Sequence, residues 1–215
     1  MSRQPRPEAL LIDGPAGHLE CLLELPANAA PRAVAVVCHP HPMHGGTMQN
    51  KVAHTLSRAF IAREFSTLRF NFRGVGKSEG AFDDGDGELM DVLAAVEFMR
   101  ARFPGTAVWL GGFSFGAAMA VRAAVETDVA GLVSVAPAAF RLSGNDSVQP
   151  PCAWLIVHGE NDELVDIDDT IKWLNSLAPG PELCVFPDTT HFFHGKLIRL
   201  REVVMAFVAL HERQP

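Results

Sequence analysis

At 215 residues, 48% of them apolar, the chain can fill one sizeable core, and no Pro/Gly/Ser-rich linker divides it. Its formal net charge of −7 argues against non-specific nucleic-acid binding. Phe103 to Val121 carries no charge, but Pro104, Gly105, Gly111, Gly112 and Gly116 make it a poor lipid-facing helix, so no membrane span is expected.

No apolar leader follows Met1–Pro7. Cys21, Cys38, Cys152 and Cys184 are scattered without a C-x-x-C pair, which reads as free thiols in a cytoplasmic protein. Residues 1–8 read as a loosely ordered tail on a single domain spanning 1–215.

The first strands are expected at Ala9–Ile12 and His18–Leu25, joined by Asp-Gly and Gly-Pro turn chemistry as an antiparallel hairpin. Ala33–Cys38 is a continuous apolar run, suited to a strand buried on both faces. Asn50–Phe60 has helical periodicity, Thr67–Phe72 reads as a strand and Glu88–Arg102 as a helix. Asp83, Asp84 and Asp86 lack calcium-loop spacing and suit the positive end of that helix instead.

Thr106–Leu110 is the next strand, followed by Gly112-Phe113-Ser114-Phe115-Gly116 and a run of strong helix formers to about Val125. Strands at Val129–Val135, Ala153–Val157 and Leu183–Phe186 alternate with helices at Ile167–Leu177 and Lys196–Leu210. A hairpin and then alternating strands and helices predict an α/β fold. It is a doubly wound, mostly parallel sheet with helices on both faces and sites beyond the strands' carboxyl ends.

Three reactive residues fall just after strands. Ser114 lies in a G-x-S-x-G turn between strand and helix, which would push its hydroxyl out of the sheet. Asp162 follows the Ala153 strand and His191 follows the Leu183 strand. A neutral hydroxyl needs a base in reach, and that imidazole needs a carboxylate on its other nitrogen. The expected set is therefore Ser114 as nucleophile, His191 as base and Asp162 as acid. Asp188 is the fallback acid, His194 the rival base, and His158 a core or supporting histidine.

With these motifs in view, the sequence resembles the α/β-hydrolase superfamily from Ala33 to Leu210. The resemblance is carried by Gly112–Gly116, His-Gly-Glu-Asn-Asp at 158–162 and Thr-His-Phe-Phe at 190–193. It is nearest to small bacterial serine hydrolases with a Cys-His-Pro-His-Pro segment, loosely akin to dienelactone hydrolases. Those enzymes use a cysteine where this chain has Ser114, so their substrate does not carry over. The short stretch between Val135 and Cys152 leaves room for no more than a small flap, which implies an open site. Phe113, Phe115, Phe140, Phe192 and Phe193 are candidates for its apolar lining.

The resemblance also places one oxyanion-hole N–H in the loop after the third strand and the other on the residue after the nucleophile. Pro40 and Pro42 have no N–H, so His41 is the expected donor beside Phe115, with Met43 as runner-up. His39, His41 and His44 cluster there, but the prolines preclude a helical ligand face, and no metal or other cofactor is expected.

Gly76-Lys77-Ser78 mimics the end of a phosphate-binding loop, yet Asn71 stands where that motif needs glycine, and Glu79 breaks the dinucleotide G-x-G-x-x-G. The expected activity is hydrolysis of a small soluble ester or thioester. A catalytically silent binding protein and a nucleotide-binding protein are the alternatives. Neither the acyl group nor the oligomeric state is legible.

Overall fold

The structure, a computed structural model, describes residues 6–27, 30–142 and 149–212. Eight strands form one sheet: β1 (Glu8–Gly14), β2 (Gly17–Glu24), β3 (Val34–Cys38), β4 (Ser66–Phe70), β5 (Val108–Phe113), β6 (Gly131–Val135), β7 (Ala153–Gly159) and β8 (Glu182–Phe186). Five helices connect them: α1 (Lys51–Ala62), α2 (Asp86–Arg102), α3 (Phe115–Glu126), α4 (Ile167–Leu174) and α5 (Leu197–His211). The order across the sheet is β1-β2-β4-β3-β5-β6-β7-β8. β2 is antiparallel to both β1 and β4, and every other pairing is parallel. This is the doubly wound sheet with an opening hairpin that the alternation of elements predicts. β1 starts at Glu8, inside the stretch read as a tail.

The core lies in two layers because successive strand residues face opposite sides of the sheet. Val34, Val36, Leu110 and Ile156 face α2 and α3. Ala35, Val37, Trp109 and Leu155 face α1 and α5. Strands buried on both faces have no polar alternation, which is why they read as plain apolar runs. No helix among the described residues is long and apolar enough to cross a membrane.

Several element boundaries differ from expectation. β5 continues through Gly111 and Gly112 to Phe113, three residues past the expected Leu110. A Cβ on Gly111 would lie 3.1 Å from the Phe60 ring, and one on Gly112 would lie 2.3 Å from the Gly116 carbonyl oxygen. These glycines are packing sites inside a strand. β4 ends at Phe70, and just beyond it the Phe72 N–H turns away to donate to His39 Nε2 at 3.1 Å. α4 stops at Leu174, and Ser176 and Leu177 tighten into turns whose N–H groups reach Trp173 and Leu174 carbonyls.

Candidate active site

Ser114 occupies a sharp turn between β5 and α3 with φ 56° and ψ −118°, a left-handed conformation that strains a residue with a Cβ. The surrounding structure holds it there. Its N–H donates to the Val135 carbonyl at 2.9 Å, and its own carbonyl accepts from Ala117 and Ala118 at 3.0 and 3.1 Å. Gly116 makes the turn possible, since a Cβ there would lie 2.2 Å from the His39 carbonyl oxygen. The start of α3 is thereby pressed against the loop after β3, while Ser114 itself stays partly open to solvent.

Asp162 and His191 come together from neighbouring loops. His191 Nδ1 and Asp162 Oδ2 are 2.7 Å apart, with the two side chains 3% and 0% exposed. The loop after β8 reaches this point by crossing the end of β7. Asn161 N–H donates to the Thr189 carbonyl at 3.0 Å, and a Cβ on Gly159 would lie 2.3 Å from that same oxygen. His191 then lies against Phe113, the residue before Ser114, with ring centroids 4.8 Å apart, and against Phe192 at 5.3 Å.

Burial alone would raise the Asp162 pKa. The hydrogen bond to His191 and the N–H groups of Val165 and Leu164, at 2.8 and 3.0 Å, outweigh it and hold the carboxyl below its ordinary range. A carboxylate on Nδ1 leaves Nε2 free to accept a proton. Among the described residues no hydrogen bond links Ser114 Oγ to the imidazole.

The rival residues are placed elsewhere. Asp188 is exposed, and its N–H donates to Glu160 Oε2 at 3.1 Å. His194 is exposed and packs on Phe192. His158 is buried with its ring nitrogens against the Gly159 carbonyl at 3.0 Å and Thr170 Oγ1 at 3.2 Å.

The loop after β3 faces the start of α3. The His41 ring stacks on His44 and lies 4.9 Å from the Phe115 ring. Neither the His41 nor the Phe115 backbone N–H has an acceptor among the described residues. The Met43 N–H is taken by His41 Nδ1 at 3.2 Å, which leaves His41 rather than Met43 with a free donor.

His39 is fully buried, with Nδ1 2.6 Å from the Pro40 carbonyl and Nε2 accepting from Phe72, so burial pushes its pKa down to about 4. Both its ring nitrogens are engaged within the protein, and no group of three His, Cys, Asp or Glu among the described residues is arranged to hold a metal ion.

The phosphate-loop look-alike is tied down by the protein itself. Glu20 Oε2 accepts from Asn71 Nδ2 at 2.8 Å and from the Lys77 N–H at 2.9 Å, while Ser78 Oγ donates to the Asn71 carbonyl at 2.6 Å. The Lys77 and Ser78 N–H groups are therefore occupied, the second by the Val75 carbonyl at 3.0 Å.

Of the five phenylalanines expected to line the site, Phe113, Phe115 and Phe193 are core residues, whereas Phe192 and Phe140 reach solvent. Residues 143–148, part of the expected flap, lie outside the described residues. Two participants escape sequence reasoning. Glu163 Oε2 accepts the His191 N–H at 3.1 Å, and Gly159 gives the crossing loop its room. Only the Gly after the β7 histidine carries a local signal.

Comparison with known proteins agrees with this architecture. A family model described as serine aminopeptidase, S33, matches residues 29–154. A serine hydrolase of Xanthomonas campestris described as lacking a lid is 42% identical, with 100% of both chains covered and a TM-score of 0.92. An α/β serine hydrolase homologue from Coxiella burnetii is 41% identical over 93% of this chain and 96% of its own, with a TM-score of 0.89. An uncharacterized protein of Rickettsia prowazekii is 32% identical over 79% of this chain and 73% of its own length. Human monoglyceride lipase is 29% identical over 59% of this chain and 42% of its own.

Proposed function

The chain belongs to the serine aminopeptidase S33 family of α/β serine hydrolases, and on that premise we propose that it cleaves carboxylic esters or thioesters through a Ser114 acyl-enzyme. The observation that carries the proposal is the buried 2.7 Å His191–Asp162 pair set beside a strained Ser114 turn.

In this reading His191 Nε2 removes the Ser114 proton as Oγ attacks the acyl carbon. Asp162, already ionised, holds the imidazole tautomer and stabilises the imidazolium. The negative oxygen of the tetrahedral intermediate is met by the N–H groups of His41 and Phe115, each contributing about 3–4 kcal/mol. His191 returns the proton to the departing alkoxide or thiolate. Water, activated by the same imidazole, then releases the acid and frees Ser114.

Substrates are small acyl compounds, in keeping with an open site. An amide is the weaker choice, because its leaving group is poorer. Free Cys21, Cys38, Cys152 and Cys184 fit a reducing cytoplasm.

Turnover of p-nitrophenyl and thiophenyl acyl substrates by Ser114→Ala, His191→Gln and Asp162→Asn tests the assignment. Each variant is expected to lose roughly 10⁴-fold or more in kcat while keeping its fold. Activity retained in Ser114→Ala would make this a binding protein or a different enzyme.

A further inference from the structure

A cleft of about 420 Å³ opens between the loops that follow β3 and β4. Pro42 and Met43 line it from the first loop, and Arg73, Val75, Ala81 and Phe82 line it from the second. Its volume is within the range of small-molecule sites. One of its lining residues packs on the side chains of both proposed oxyanion residues: the Phe82 ring is 5.1 Å from the His41 ring and 6.0 Å from the Phe115 ring.

Strand order decides which part of a substrate can reach it. β3 and β4 lie on one side of β5, while β7 and β8, which carry Asp162 and His191, lie on the other. The leaving group must sit toward His191 to be protonated, where Phe192, 43% exposed, packs on the imidazole. The remaining substituent of the acyl carbon is directed to the β3–β4 side. Among the described residues lining the cleft Arg73 is the sole charged one, and its guanidinium is tied to Asp91 at 2.8 to 3.2 Å. No uncompensated charge is left there to welcome a carboxylate.

We infer that this cleft is the acyl subsite and that it selects acyl groups with an apolar body of several carbons. The inference rests on the ester-hydrolase reading above and narrows its substrate. The acyl substituent lies between Met43 and Phe82 while the oxyanion points at the His41 and Phe115 amides. Alcohol or thiol leaves on the opposite side.

The test is a p-nitrophenyl ester series from acetate to decanoate, with wild type, Ala81→Trp and Met43→Ala. Both sites are exposed, so both variants should fold, as circular dichroism would verify. Ala81→Trp, which fills the cleft, should lower the octanoate-to-acetate ratio of kcat/KM at least tenfold. Met43→Ala, which removes a lining side chain, should also move this ratio. Leu164→Trp, on the Asp162 loop, should instead alter preference among alcohols at constant acyl group.

A second arm uses no chemistry: decanoate should raise the Tm of wild type more than that of Ala81→Trp. Turnover with an unchanged chain-length ratio in Ala81→Trp would overturn the subsite and leave the hydrolase reading standing. No turnover of any ester, with the decanoate shift lost in Ala81→Trp, would leave the cleft standing and overturn the hydrolase reading.

Discussion

Burial holds His39 neutral in the folded protein until the pH falls to about 4. Nδ1 carries its proton toward the Pro40 carbonyl, and Nε2 accepts from Phe72, so a second proton would break the contact between the ends of β3 and β4. With a folded pKa of about 4 against an ordinary 6.5, the unfolded chain takes up the proton first as pH falls. Stability from this group is present above pH 6.5 and is lost as pH falls toward 4. The expected loss is roughly 2 kcal/mol between pH 7 and pH 5. Urea unfolding of wild type and His39→Gln at both pH values should show the variant losing less.

Gly116 makes the complementary prediction. A methyl group there meets the His39 and Cys38 carbonyl oxygens, so Gly116→Ala should destabilise by about 1–3 kcal/mol and lower ester turnover by displacing the Phe115 amide. Thermal unfolding and kcat would check both effects. The strand-end positions of Ser114, Asp162 and His191 were legible in the sequence because each sits in a short local motif directly after an apolar run. Glu163 was not, because its role depends on where a loop 28 residues away returns.

At the scale of elements, the loop from Arg73 to Gly80 is held by the helix and strand beside it. Arg73 is forked onto Asp91 of α2, and the same carboxylate accepts the Arg73 backbone N–H at 3.0 Å. Asp91 is fully buried, so Asp91→Ala strands a guanidinium and should cost about 3–5 kcal/mol by urea unfolding.

The acidic run before α2 behaves as the sequence predicts. Asp86 and Glu88 lie in the first turn, and the Glu88 carboxylate accepts from the Asp83 and Gly85 N–H groups at 3.0 and 2.8 Å. Local composition revealed that cap. It could not reveal that Glu20, distant in sequence, closes the Gly76-Lys77-Ser78 loop, nor that Gly111 and Gly112 would be strand rather than turn. Those outcomes follow from Phe60 and Gly116 arriving from other elements.

For the whole molecule, parallel strand direction gathers the carboxyl ends of β3, β5, β7 and β8 on one edge, and every proposed catalytic and oxyanion residue follows one of them. Alternation of apolar runs with helical periodicity was enough to predict this. Strand order, on which the proposed separation of acyl and leaving-group sides rests, came only from the folded chain. Since His39 is committed to the protein interior and no three-ligand cluster exists among the described residues, ester turnover should survive EDTA within about twofold, as a direct rate assay would test.

The most direct measurement is covalent. Wild type treated with a fluorophosphonate should gain one adduct, mapped by peptide mass to Ser114, at a rate cut sharply in His191→Gln and abolished in Ser114→Ala. Labelling that persists in Ser114→Ala, or that fails in wild type, would contradict the account.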